Sequence, residues 1–316
     1  MIENNRTTLS IDIGGSKIIT GIVGEDGGVR GTVRESLQMP YTQEDILKTI
    51  INLGREAVDR YACGPVTAVA AAIPGLADPE RGVWLYSSFS GIRDFPIAEK
   101  LAEEFGTAVY IDNDVKACAM GEMRFGACKN VRDFLWVTIS NGIGGCAVAD
   151  GKILTGGHNS AGEIGHVNVV EDGYPCGCGN RGCAEACAAG PAILRRYLER
   201  VGQTAGNAVL SAWDVARLAD DGDEDARKVF EETGVYLGRA VSAAVNILNP
   251  CKVILGGGVS MSMDLFYPSL KRTMDKLVFH EANRDLSVER TALGYDAALI
   301  GAAALGFAGY ERDTAG

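Results

Sequence analysis

Residues Leu9 to Val23 read LSIDIGGSKIITGIV, two runs of β-favouring side chains held apart by Gly14-Gly15. A run, a glycine break and a second run spell a hairpin, and the rest of the chain is organised around that pattern. VRGTV, ending at Val33, adds a third strand, so Thr8 to Val33 reads as a three-strand meander. A helix is predicted next: Thr42 with Asp45 three residues on has the form of a capping box, and Ile46, Ile50, Leu53, Ala57 and Tyr61 recur at helical spacing. Val66 to Ile73 is unbroken apolar sequence, as a strand covered on both faces requires, and it stops at Pro74-Gly75. A helix over Pro96 to Phe105, a strand over Ala108 to Ile111 and a helix from about Asp114 complete an α/β unit.

The same order then restarts. FLWVTIS, Phe134 to Ser140, leads through Asn141-Gly142-Ile143-Gly144-Gly145 into Cys146 to Ala149, closed by Asp150-Gly151. Helices follow around Ala186 to Val201, Ser211 to Ala219 and Glu224 to Leu248, then a strand, Lys252 to Leu255, and a triple glycine. The expected fold class is therefore α/β in two lobes, an N-terminal one over 1–122 and a C-terminal one over 123–296. No low-complexity linker separates the halves, so they are expected to share a cleft.

Composition narrows the function. The chain has 316 residues, 47% hydrophobic and 22% charged, which excludes disordered and collagen-like classes. A net charge of −11 repels phosphate backbones and anionic lipid, so no nucleic-acid or membrane partner is expected. The N-terminus lacks the basic and apolar blocks of a secretion signal, and the alanine-rich tail Ala297 to Ala308 is too short to span a bilayer. A cytoplasmic location is expected. Of nine cysteines, Cys63, Cys118, Cys128, Cys146 and Cys251 lie scattered in apolar segments and read as plain core.

Five motifs carry candidate chemistry. Asp12-Ile-Gly14-Gly15-Ser16-Lys17 could turn amides, a hydroxyl and a cation toward a phosphate, with Asp12 holding Mg²⁺ through water; an ordinary hairpin is the alternative. Ser140-Asn141-Gly142-Ile-Gly144-Gly145, read on to Ala147, matches GxGxxA with Glu163 downstream, but a dinucleotide turn must open a helix, and Cys146 to Ala149 reads as a strand. A second phosphate hairpin fits better. Asn113-Asp114 lies where a strand ends and a helix starts, so Asp114 is either an N-cap or a carboxylate able to take a proton from a substrate hydroxyl. His166, Cys176, Cys178 and Cys183 form a Cys₃His set, which satisfies tetrahedral Zn²⁺ with no open position, a structural metal and not a hydrolytic one. Gly256-Gly257-Gly258 offers bare backbone to a nucleobase or ribose.

In this order the motifs resemble the ROK family of bacterial sugar kinases and related repressors, within the actin-like ATPase superfamily, from Asp12 to about Ala304. The resemblance implies two ribonuclease H-like lobes around a nucleotide and sugar cleft, with the C-terminal helix, about 297–316, returning to the first lobe. It implies ATP and Mg²⁺ as cofactors beside structural Zn²⁺, a small-molecule sugar as substrate, and a homodimer. Carried over by position, Asp114 is the general base, and Asn113, Glu163, His166 and Glu185 bind sugar hydroxyls, with Gly75 and Ser88 lining the pocket. The nucleotide falls to Asp12, Gly14, Gly15, Ser16, Lys17, Asn141, Gly142, Gly144, Gly256 and Gly257. The expected reaction is transfer of a phosphoryl group from ATP to a hexose 6-hydroxyl.

The chain departs from the family pattern at Ser16, at Ser140-Asn141, and at Ser88 and Ile92, where Asn and Trp are usual. The last two changes make room for a differently substituted sugar, so an N-acetylhexosamine such as N-acetylmannosamine is the alternative substrate. A non-catalytic sugar sensor is the alternative role. A DNA-binding repressor needs a helix-turn-helix ahead of the first hairpin, and eleven residues precede Asp12.

Overall fold

The computed structural model describes residues 6–15, 17–37, 41–87, 91–202 and 211–315. It divides into two compact units: Met1–Asn130 with Gly156–Ser160 and Ala292–Gly316, and Val131–Thr155 with Ala161–Thr291.

In the first unit, β1 (Thr7–Ile13), β2 (Lys17–Gly24) and β3 (Val29–Ser36) form the antiparallel meander. Next come α1 (Gln43–Tyr61), β4 (Ala68–Ile73), a small sheet of β5 (Leu76–Asp78), β6 (Val83–Tyr86) and β7 (Arg93–Phe95), then α2 (Ile97–Phe105), β8 (Val109–Asn113) and α3 (Asp114–Arg124). The main sheet runs β3-β2-β1-β4-β8, with β1, β4 and β8 parallel. Strand alternation sends Leu9, Ile11, Val69 and Ala71 to one face, where Ile46 and Ile50 of α1 cover them. Ala70 and Ala72 face the other way, against Ala117 of α3 and Ala302. Small side chains there let helices approach closely. Thr42 caps α1 with the full capping box, its hydroxyl accepting from the Asp45 amide.

The second unit repeats the plan. It holds β9 (Phe134–Ile139), β10 (Ile143–Ala149), β11 (Lys152–Ile153), α4 (Ala184–Ala188), α5 (Gly190–Val201), α6 (Ala212–Asp220), α7 (Glu224–Leu248), β12 (Lys252–Gly256), α8 (Met263–Leu277) and β13 (Ser287–Arg290). Sheet order is β11-β10-β9-β12-β13, again a meander followed by parallel strands. β9 and β10 pair antiparallel across the Ser140–Gly142 turn, so the GxGxxA match opens a strand and not the helix a dinucleotide site needs. The final helix, α9 (Ala297–Thr314), packs with Ile19 and Val23 of β2 in the first unit through Leu299, Ala303 and Phe307.

Two expectations are corrected. The helix expected over Ala186 to Val201 is two helices, because Ala189 takes an extended conformation and Pro191, lacking an amide, starts the second. Cys63 and Cys251 are exposed, whereas Cys118, Cys128 and Cys146 are buried core as read. Ile92, at the position where Trp is usual, is buried in the first unit's core. No helix among the described residues is long and apolar enough to cross a membrane.

Candidate functional site

In the first unit the site is built at strand ends. β8 is paired in parallel with β4 as far as Asn113 opposite Ile73, and the chain turns there into α3. Asn113 is the N-cap: its side-chain oxygen accepts the amides of Val115 at 3.0 Å and Lys116 at 3.3 Å. Asp114 is thereby released from the capping role and becomes the first helical residue. The Asn113 amide group donates to Gly75 O and to Asp114 Oδ1, both at 3.0 Å, so one side chain ties the Pro74-Gly75 turn to the carboxylate. Gly75 needs its identity: φ is +89°, and a Cβ would lie 2.3 Å from Tyr86 O.

Burial pushes the Asp114 carboxyl up to about 7, and the negative charge of Asp12 adds to the rise, while the Val115 amide opposes it. Asp12, on β1, is lifted to about 6 by burial, held back by the Lys17 ammonium and raised further by Asp296. Each of these two carboxylates is thus harder to ionise than an ordinary aspartate, burial being the main cause. Gly14 N–H closes the first hairpin by donating to Lys17 O at 2.8 Å. The Lys17 ammonium lies 4.2 Å from the centre of the Tyr295 ring and donates to its hydroxyl. Ser16 and Ser88 lie outside the described residues.

In the second unit the candidate residues gather on one loop and the hairpin beneath it. Gly162 has φ +105°, and a Cβ there would sit 2.1 Å from Gly145 O; its own carbonyl accepts the Gly145 amide at 2.8 Å. The segment Gly162–His166 is thus laid directly on β10. Glu185, in α4, reaches the glycine turn: its Oε2 accepts the Ile143 amide at 3.0 Å and would lie 2.6 Å from a Cβ at Gly142. Asn141 lies in this turn, and Gly144 follows in β10, paired with Thr138. The bare α-carbon of Gly256 packs on the indole of Trp136, and Gly257 continues at φ +82° against Ile139 O.

His166, Cys176, Cys178 and Cys183 offer ligand atoms all within 4.8 Å of one another. Cys178 Sγ lies 3.7 Å from Cys183 Sγ, and Cys176 Sγ lies 3.7 Å from His166 Nδ1. A tetrahedral zinc with bonds of about 2.3 Å to sulfur sets sulfurs about 3.8 Å apart, a spacing that these two pairs match, so the four residues could hold the ion. A turn from Cys176 O to Gly179 N and the Asn180 O to Cys176 N bond shape the knuckle. The other ring nitrogen of His166, Nε2, stands 3.8 Å from Glu163 Oε2. One imidazole therefore lies between the possible metal cluster and a carboxylate. Arg195 stacks over Tyr174 at 4.0 Å and Arg239 donates to Val169 O at 2.6 Å, anchoring the loop to α5 and α7. None of these anchors, nor Tyr295 and Asp296, carries a sequence signal: each is a lone residue with no motif around it.

Comparison with known proteins assigns the family. The chain matches the ROK family over residues 8–308. It is similar to a glucokinase of Halalkalibacterium halodurans, 31% identical over 314 residues and covering 94% of each chain. It is also similar to the DNA-binding transcriptional dual regulator NagC of Escherichia coli, 29% identical over 270 residues, 84% of this chain and 66% of the regulator. Among solved structures, a ROK family glucokinase from Streptomyces griseus in complex with glucose and AMPPNP has a TM-score of 0.84 at 30% identity, over 96% of this chain and 99% of that one. The repeated sheets are accordingly those of the actin-like ATPase, ribonuclease H-like fold, and the chain belongs to the ROK family.

Proposed function

We propose that the protein is an ATP-dependent hexose kinase acting on the sugar 6-hydroxyl, with Asp114 as general base. The observation that carries this reading is Asp114 itself: a carboxylate freed from helix capping, positioned through Asn113, and lifted to about 7, the range in which a base both exists ionised and accepts a proton. The glucokinase similarity supports the same reaction class.

ATP with Mg²⁺, when bound, supplies the phosphoryl group and charge neutralisation. Lys17 would offset phosphate charge, and Asp12 would hold the Mg²⁺ through water. Asn113, Glu163, His166 and Glu185 take the sugar hydroxyls, with the zinc cage setting the direction of the His166 ring. Asp114 accepts the hydroxyl proton as that oxygen forms its bond to the γ-phosphorus and the bond from that phosphorus to the bridging oxygen breaks, releasing ADP. Glycine backbone at Gly14, Gly15, Gly142, Gly144, Gly256 and Gly257, with Ser16 and Asn141, lines the nucleotide.

A second reading, a sugar sensor without turnover, is favoured by the similarity to NagC and by Glu185 already engaging the Ile143 amide in the second glycine turn. A coupled assay of ADP release separates the two across glucose, mannose, fructose, allose, N-acetylglucosamine and N-acetylmannosamine. Sugar-dependent ADP release with one of them is expected. Calorimetric binding of a sugar with no release from any would replace the kinase with the sensor. Preference for an N-acetylhexosamine would assign the substrate to the amino-sugar class.

A further inference from the structure

Lys116 is an anomaly. It sits two residues after Asp114, in the first turn of α3, where a cation opposes the helix dipole, and it is 4% exposed. A buried ammonium costs several kcal/mol unless its protons are satisfied. Its Nζ donates to Asn159 twice, to the backbone oxygen at 2.7 Å and to Oδ1 at 2.5 Å, and Asp112 Oδ1 lies 3.8 Å away.

Asn159 is itself held in an unusual state. Its φ is +56°, in the left-handed region, and its side-chain amide donates to Ala77 O on β5 at 3.0 Å. The sequence offers no reason for an asparagine there.

Two bridges therefore run side by side within the first unit, from the β5 end to the start of α3. One is Gly75 O to Asn113 to Asp114. The other is Ala77 O to Asn159 to Lys116. The first grips the base directly; the second grips the same two elements two residues further along each. We propose that Lys116 and Asn159 are positioning residues for Asp114, a brace that fixes the first turn of α3 against the turn carrying Gly75. The inference rests on the reading of Asp114 as the base of a sugar kinase.

Lys116→Met removes the ammonium while keeping the volume. Asn159→Gly removes the side chain while glycine tolerates the backbone angle. Each is expected to lower kcat at least tenfold and to raise the sugar KM, with the affinity for AMPPNP and the zinc content unchanged. The double variant is expected to be no worse than the poorer single one, because both break one bridge. In an Asp114→Asn background neither change should lower the residual rate further, an outcome that mere loss of stability would not give.

Amide hydrogen exchange over residues 113–118 supplies a readout independent of turnover and is expected to quicken in the Asn159→Gly variant. Wild-type kcat in Lys116→Met, or unchanged exchange in Asn159→Gly, overturns the brace while leaving the base intact. A full further loss in the Asp114→Asn background also overturns it. Absence of ADP release from the wild-type protein with every sugar overturns the kinase reading, and the brace with it.

Discussion

The first sheet, β3-β2-β1-β4-β8, and the second, β11-β10-β9-β12-β13, follow one plan, yet they present their acids differently. Asp114 stands where a paired strand becomes a capped helix, held by the ladder to β4 and the Asn113 cap. Glu163 and Glu185 flank an irregular loop. Between them lie two isolated bridges, Asn168 to Cys183 and Pro175 to Arg181, and the Cys₃His cage. Regular backbone aims the first carboxylate; the others flank a loop whose Cys₃His cluster could hold a metal. The loop closes on itself through backbone bonds such as Val169 N–H to Gly182 O and Ala184 N–H to Val167 O, and a metal cross-link would add rigidity at the cluster itself.

Perturbing one unit should therefore leave the other intact. The largest effect is expected from Asp114→Asn: kcat falls about 10³-fold, within the range general bases contribute, while calorimetry still shows sugar binding and elemental analysis still finds zinc. Retained turnover would remove Asp114 from its role. Next is Cys183→Ser, expected to take bound zinc from one per chain to none, to lower Tm and to weaken sugar binding tenfold or more. Its AMPPNP affinity should stay near wild type. Equal loss of both affinities would mean that the metal serves the whole fold and not the loop.

A pH profile sharpens the same contrast. Asp114 must be ionised to accept a proton, so kcat/KM is expected to fall tenfold per pH unit below a midpoint near 7. The linked stability has the opposite sense. The folded pKa lies above the unfolded value of about 3.9, so the folded state binds the proton more tightly, and stability drops as pH rises between the two values and on through 7. Asp114→Asn should then melt a few degrees higher than wild type at pH 8 and at nearly the same temperature at pH 4. The smallest effect is expected at a site remote from both acids. Thr42→Ala should cost about 1 kcal/mol in denaturant unfolding through loss of the capping box, with kcat unchanged.

Much of this was written locally in the chain. The restart of strand, glycine turn and strand at Phe134 reveals the repeat, the Thr42 and Asp45 pair marks a helix start, and Asp150-Gly151 ends β10 soon enough to exclude a helix. The possible metal cluster is legible because its four residues lie within eighteen positions. Other features are not local. The strands of the β5, β6 and β7 sheet are three or four residues each, too short to show a period. α8 carries Pro268 in its interior, which reads as a break. Lys116 and Asn159 are forty-three positions apart, and only folding brings a lone lysine to a lone asparagine.

The central claim is that Asp114 serves as base to a sugar hydroxyl. A crystal structure of the protein with AMPPNP and the sugar selected by the ADP-release assay tests it most directly. An Asp114 carboxylate oxygen is expected within about 2.6–3.2 Å of one sugar hydroxyl, with that hydroxyl in line with the γ-phosphorus. A sugar bound with Asp114 still bonded only to Asn113 and Val115, and no hydroxyl within reach, would contradict it.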